Sequence, residues 1–246
     1  GKMLGGSSSI NGMVYMRGHP RDYDEWEAAG ARGWGWREVA RCFKEIEDHS
    51  LGADALRGAG GPLKISTYSH RTGLADAVIA ACEQLGLQRR DDLNRTDHEG
   101  IAYLSYTMRG GVRQSAAQAF LHPARSRPNL TVITGAQVTR ILFDGTRATG
   151  VEARVDGALQ RFDAAREVIL SAGALQSPRL LQLSGVGDGA HLQSLGIPVV
   201  AHNPNIGGNL REHLLYMAQW RLKNWRDCEN REYAGWRLAL NGLKYA

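Results

Sequence analysis

Two Asp-Gly dipeptides, Asp144-Gly145 and Asp156-Gly157, most constrain the fold of this chain. They divide residues 129–163 into the apolar, β-rich runs "NLTVIT", "VTRILF", "ATGVEARV" and "ALQRFDA". Two-residue hairpin turns need positive φ at their centre, and Asp-Gly supplies it at low steric cost. The spacing therefore predicts an antiparallel meander over 129–163, turning at both dipeptides. "EVILSAGAL" then reads as a short buried strand ending in Ser-Ala-Gly. A helix follows, starting at Ser177-Pro178 with Pro at its first position. "IPVV" reads as one more strand. A strand, a small-residue turn and a helix are the parts with which doubly wound α/β folds bind nucleotides.

Upstream, "HPRDYDEWEAAGARGWGW" is a polar, aromatic, glycine-rich stretch. "WREVARCFKEIEDH" carries Val39, Cys42, Phe43 and Ile46 at helical spacing. After a break at 58–62, "PLKIS" predicts a short strand. "GLADAVIAACEQLG" predicts a helix burying the stripe Leu74, Val78, Ala81 and Leu85, with Gly86 as its C-cap. Cys42 and Cys82 lie in these two helical stripes and read as core residues. From Leu214 the tail is mixed, with Trp220, Trp225 and Trp236.

Composition excludes several classes. At 246 residues, with 43% apolar and 22% charged residues, the chain fits one large globular domain or two small ones. The net charge of +5 comes from scattered basic residues interleaved with acids, so a solvated basic surface is expected and nucleic acid is not a partner. No apolar run reaches membrane-spanning length, and no signal-peptide pattern is present. The three cysteines are widely separated, which argues for a reducing compartment without disulfides or a zinc site. The eight histidines lack ligand spacing, so no metal is expected. Two glycosylation patterns, at Asn94 and Asn129, read as chance. Residue 1 is Gly, so a true N-terminus upstream is expected.

The chain opens "GKMLGGSSSINGMVYMRG". Adjacent glycines let backbone N–H groups approach a phosphate closely, and Ser7 and Ser8 add hydroxyl donors. Alone, such a stretch is more often a flexible connection than a ligand loop. "SGVGDGAHL" resembles a dinucleotide glycine loop, but its third glycine comes one residue early and a helix precedes it, so a turn is expected. "GGSSSI" lacks the G-x-S-x-G of a nucleophile elbow.

Residues 1–18 closely match the first signature of the glucose-methanol-choline oxidoreductases, and "GALQSPRLLQLSGVG" (173–187) matches the second. The linking pieces "RGHPRDYDEWEAAG", "GWGW", "RQSAAQAFL", "RPNLTVIT", "VTRILFDG" and "IGGNLREHL" also resemble that family. The resemblance covers essentially the whole chain and is greatest to the choline-dehydrogenase-like branch. It implies an α/β (α+β) fold: a Rossmann-like FAD-binding lobe with a β-meander, interleaved with a substrate lobe on an antiparallel sheet. The implied division is a FAD-binding loop and covering segment (1–60), the first part of the substrate lobe (61–95), the FAD-binding lobe with the meander (96–213), and the start of the second substrate part (214–246). The implied activity is oxidation of a primary alcohol, choline-like or another CH–OH donor, by hydride transfer to FAD, with oxygen or a quinone as electron acceptor. The implied location is cytoplasmic or peripheral to the inner membrane.

The resemblance also implies site residues. Met3, Gly5, Gly6, Ser7 and Ser8 would lie along the flavin pyrophosphate and ring. Asn11, Gly12, Met13 and Val14 would sit against the isoalloxazine, largely through backbone. Val138 would meet the adenine through its main chain, and Ala172 and Gly173 would line the nucleotide side. A covalent flavin in this family uses a His just before the loop Asn. That position is Ile10 here, so FAD is expected to be non-covalent.

The family's N-terminal strand, G-x-G-x-x-G turn and ribose-binding acid have no counterpart here. The segment carrying its active-site histidine has none either, and His213 is not that base. The expectation is an internal fragment with no catalytic residue of its own, inactive in isolation and holding FAD poorly. The alternatives are a degenerate non-catalytic binding module of the same family, or a serine hydrolase using Ser7, Ser8 or Ser9.

Overall fold

A computed structural model describes residues 1–67, 71–95, 97–212, 214–217, 219, 221–224, 228, 230 and 233–245. His213, Trp220 and Trp225 lie outside the described residues. The chain forms two compact units, residues 1–130 with 220–246, and residues 131–219.

The first unit starts with a 3₁₀ turn at Gly6–Ser9, which leads into β1 (Val14–Tyr15). Helix α1 (Pro20–Ala28) follows, within the stretch read from sequence only as polar and glycine-rich. Its start is specified locally: Pro20 opens it, the His19 ring accepts from the Arg21 amide, and Asp22 accepts from the His19 amide. Tyr23 on α1 is buried against Trp26, Trp36 and Phe43. Helix α2 (Trp36–Ile46) passes directly into β2 (Glu47–His49), and β3 is Leu63–Thr67. Helix α3 (Gly73–Gln84) is capped by the Thr72 hydroxyl. Strand β4 is Ser105–Tyr106. β5 (Met108–Arg109) and β6 (Val112–Arg113) form a hairpin around Gly110-Gly111, both with positive φ. A π-type turn at Ala117–Leu121 runs into α4 (His122–Ala124).

The main sheet of this unit has the order β1-β4-β3-β2, with β1/β4 and β4/β3 antiparallel and β3/β2 parallel. Ile65 on β3 is fully enclosed.

The second unit is built on the meander β7 (Ala136–Asp144), β8 (Arg147–Val155) and β9 (Ala158–Asp163). The second turn falls at Asp156-Gly157 as the sequence predicts, with φ of +49° and +84°. The first turn is displaced by one residue. Asp144 stays in β7 opposite Arg147, and the loop is Gly145-Thr146 with positive φ at Gly145 only. That is the pattern of a turn whose first central residue alone is left-handed. Helix α5 is Gln176–Leu183, so Pro178 stands third, still within the first turn where its missing N–H has no helical partner. β10 (Val186–Gly187) pairs in parallel with β11 (Ala201–His202), and Asp188 caps α6 (Gly189–Ser194) between them. "SGVGDGAHL" is thus a turn and a capped helix start. Helix α7 (Gly235–Tyr245) belongs to the first unit.

Several expectations are corrected. Residues 129–135 and 167–170 are not strands, and Ile169 is 77% exposed. Among the described residues no strand pairs with either run, and without a ladder partner their backbone groups gain no sheet hydrogen bonds from extension. "IPVV" precedes β11 rather than forming it. The α3 stripe faces outward: Leu85 is 80% exposed and Val78 48%, whereas Ile79 is buried. That helix has apolar residues on all sides, so its pattern does not select the face that packs. Cys42 is exposed, not core, and Cys82 is half-buried.

No helix among the described residues is long and apolar enough to cross a membrane. None of their His, Cys, Asp and Glu side chains group to hold a metal ion.

Candidate cofactor loop and its support

The first eighteen residues contain Lys2 and Arg17 but no acid. Within them the chain reverses at Gly5 and Gly6, with φ of +85° and +56°. A Cβ on Gly5 would lie 2.5 Å from Ser9 Oγ and 3.2 Å from the Ala117 amide nitrogen, so this glycine permits a close approach of two backbone segments. No atom stands within 4 Å of where a Cβ on Gly6 or Gly12 would be. The backbone there is open for a flat ligand to approach.

The serines are not equivalent. Ser8 Oγ donates to the Gly5 carbonyl at 2.5 Å and accepts from the Ala116 amide at 2.8 Å. Ser9 Oγ donates to the Leu4 carbonyl at 2.8 Å. Both hydroxyls therefore shape the loop itself. Ser7 is exposed, and its carbonyl accepts from the Ile10 and Asn11 amides. No histidine among the described residues bonds to any of the three.

The far end of the loop is fixed by β4 and β6. Asn11 Oδ1 accepts from the Met13 amide at 3.1 Å and from Arg113 Nη1 at 2.9 Å. Met13, with φ +63°, presents its carbonyl to the Thr107 amide at 2.8 Å. Val14 pairs with Tyr106. Met3, Ile10 and Val14 remain about half exposed, at 54%, 61% and 47%. Met3, Gly5, Gly6, Ser7, Ser8, Asn11, Gly12, Met13 and Val14 thus lie on one stretch of the first unit, exposed or half-buried.

Val138, Ala172 and Gly173 belong to the second unit. Val138 pairs with Ala153 just before a register shift in β7, so its backbone lies at an irregularity of the ladder. The Ala172 amide donates to Ser177 Oγ at 3.0 Å, and the Gly173 carbonyl accepts from the Ser177 amide at 3.0 Å. Both residues lead directly into α5.

Beneath the loop, β1 continues into a buried polar network that the sequence did not reveal. Arg17, Glu47, His49, Arg57, Asp92, Asn94 and Ser105 are all buried. Arg17 and Tyr15 both donate to Glu47 Oε1, and the Gly58 amide donates to Oε2 at 2.9 Å. Asn94 Oδ1 accepts from the Arg17 amide at 2.7 Å, and its side-chain amide reaches the Tyr15 carbonyl at 3.3 Å. Burial raises the Tyr15 phenol pKa, reinforced by its hydrogen bond to Glu47. Burial lowers the His49 pKa. The network locks the strand that leaves the loop; Arg17 reaches Glu47, Leu56 and Asn94, which lie 30, 39 and 77 residues away in sequence.

The sequence reading missed Thr107, Arg113 and Ala116 as supports of the loop. The local signal was present in "MRGGVRQS", where Gly-Gly between β-type residues marks a hairpin.

The family described as GMC oxidoreductase matches residues 1–215. Mitochondrial choline dehydrogenase of Homo sapiens is 46% identical over 220 residues, covering 89% of this chain and 37% of that protein. The oxygen-dependent choline dehydrogenase of Brucella anthropi is 44% identical, covering 89% and 40%. Among solved structures, pyridoxine 4-oxidase from "Mesorbium loti" superposes with a TM-score of 0.76 at 38% identity, over 81% of this chain and 40% of that one. An FAD-dependent oxidoreductase from Chaetomium thermophilum gives 0.76 at 30% identity, over 81% and 37%. The chain spans about two fifths of the length of these relatives.

Proposed function

The chain belongs to the GMC oxidoreductase family, and on that premise we propose that it forms part of an FAD-dependent enzyme that oxidises a primary alcohol, choline-like or another CH–OH donor. The observation that carries this is the loop 3–14. It is acid-free, open at Gly6 and Gly12, shaped by its own serines, and held by the hairpin behind it. These properties fit an anionic, flat cofactor.

Met3, Gly5, Gly6, Ser7 and Ser8 would hold the pyrophosphate side of FAD, and Asn11, Gly12, Met13 and Val14 would bear on its ring system. Val138, Ala172 and Gly173 would hold the adenine and nucleotide side. Bound there, FAD supplies the hydride acceptor for alcohol oxidation. The chain's own residues contribute binding and orientation: the left-handed backbone at Gly5 and Gly6, with no side chain at Gly6, lets the loop come close to an anion, and the Asn11–Arg113 contact fixes the ring-side backbone. The same reading assigns residues 1–60 and 96–213 to cofactor binding and 61–95 and 214–246 to the substrate lobe. Oxygen or a quinone completes the turnover, and the site of action is cytoplasmic or on the inner membrane surface.

The test uses the natural gene product carrying this chain, purified and titrated anaerobically with choline and a panel of primary alcohols. Stoichiometric FAD, bleached by an alcohol, is the expected result. FAD that no alcohol bleaches would instead indicate a binding module, and a protein that takes up no FAD would overturn the reading.

A further inference from the structure

Three hydrogen bonds from residues 113–116 converge on the four residues 8–11. Arg113 Nη1 donates to the Ser8 carbonyl at 3.1 Å and to Asn11 Oδ1 at 2.9 Å, and the Ala116 amide donates to Ser8 Oγ at 2.8 Å. Arg113 is placed there by the tight Gly110-Gly111 hairpin, whose partner strand follows Thr107, the residue that holds Met13. One short β-ribbon thus grips the loop at both ends.

Two further facts give the grip a chemical sense. Among the described residues no carboxylate pairs with Arg113, and the loop beside it has no acid. A half-buried guanidinium that bonds only to carbonyl oxygens brings uncompensated positive charge to the loop. In addition, Asn11 Oδ1 receives two donors, Arg113 and the Met13 amide, so the carboxamide orientation is fixed and its NH₂ group is turned away from both.

Resting on the function proposed above, we propose that Arg113 is a positioning residue for the cofactor loop. It fixes the Ser8 carbonyl and the Asn11 carboxamide, and it supplies the loop with positive charge matched to an anionic cofactor. Both bonds leave from one nitrogen, so a lysine ammonium, with three donors, can make the same pair. A methionine of similar length can make neither.

The experiment compares Arg113→Met and Arg113→Lys with wild type in the natural gene product, with FAD as the probe. It reads FAD affinity, the flavin midpoint potential, the melting temperature of the apo-protein, and amide exchange across residues 8–13 of the apo-protein. A charged hydrogen bond lost from the loop weakens FAD binding by about ten- to a hundredfold in the Met variant. Loss of the positive charge lowers the potential, because the reduced flavin is the more anionic form. Exchange in the loop accelerates while the apo melting temperature stays near wild type, and Lys recovers most of each effect. A Met variant with wild-type affinity and exchange would overturn the proposal. So would Met and Lys variants equally impaired with melting temperatures falling in step, which would make Arg113 a piece of the general fold. A wild-type protein that takes up no FAD would sink the functional reading alone, and amide exchange would still decide whether Arg113 holds the loop.

Discussion

Arg17 and Glu47 face each other inside the first unit with only 2% and 0% of their side chains exposed. Arg17 also reaches the Leu56 carbonyl at 2.9 Å and lies 5.1 Å from the centre of the Phe43 ring. Breaking such a pair by removing one partner leaves a buried charge without compensation. Arg17→Met should therefore destabilise the chain by about 3–5 kcal/mol. Urea denaturation with a midpoint unchanged from wild type would refute this.

Gly5 and Gly6 should respond differently to alanine. Both would pay the left-handed penalty of ~1–2 kcal/mol for a non-glycine residue. Only Gly5 adds a collision, at 2.5 Å from Ser9 Oγ and 3.2 Å from the Ala117 amide nitrogen. Gly5→Ala should melt at lower temperature than Gly6→Ala, by several degrees in a thermal scan. Equal melting temperatures would show that the loop relaxes around the added methyl.

Stability should fall as pH drops below the ordinary histidine value of 6.5. His49 Nδ1 accepts from the Leu51 amide at 3.2 Å, and Nε2 stands 3.3 Å from Ser105 Oγ. The neutral ring with its proton on Nε2 satisfies both. Protonating Nδ1 would set N–H against N–H, and burial already lowers the folded pKa. The unfolded chain then binds more protons than the folded one, so stability is full above pH 6.5 and is lost on acidification towards the depressed folded value. His98 shifts the same way, through burial and then the neighbouring His19. Melting temperatures of wild type, His49→Gln and His98→Gln between pH 5 and 8 check this; parallel curves for all three would contradict it.

The meander's second turn can be tested by itself. Asp156 has φ +49°, where a β-branched side chain is poorly accommodated. Asp156→Val should cost about 1–2 kcal/mol, and Asp156→Gly should be neutral or stabilising. Denaturant midpoints for the pair decide it, and a Val variant as stable as wild type would rule out the assigned turn.

The flavin should leave on denaturation. Ile10 offers only hydrocarbon at the position before the loop asparagine, and it is 61% exposed. Acid precipitation of the FAD-loaded natural gene product should leave yellow supernatant. Colour retained in the pellet would reveal a covalent bond.

What could be read from sequence was what is decided locally. Asp156-Gly157 and the helical spacing of α2 are each fixed within a few residues. The slip at Gly145 is also local, because one left-handed residue suffices there and Asp144 remains free to pair. The face of α3 was misjudged because Leu74, Val78 and Ile79 are equally apolar, and only the fold decides which is covered. α1 was missed because its cap is a histidine ring, a rare choice beside Ser or Asp. The loop itself was visible from its glycines and from family resemblance. Its supports were not, since Arg113 reaches Ser8 across 105 residues and Asn94 reaches Arg17 across 77.

The long reach of the β-ribbon that holds the loop also sets an order of events during synthesis. Met13 emerges from the ribosome 94 residues ahead of Thr107, its partner. At roughly 5–20 residues per second, that interval lasts on the order of 5–20 s. Throughout it, the glycine-serine segment and the residues that follow it lack the Thr107 and Arg113 partners they have in the fold. The meander, by contrast, closes within a few residues of each turn. The glycine-serine segment thus waits for its supports, whereas each later hairpin closes as it emerges, and nascent-chain chaperones would meet that segment in the interval.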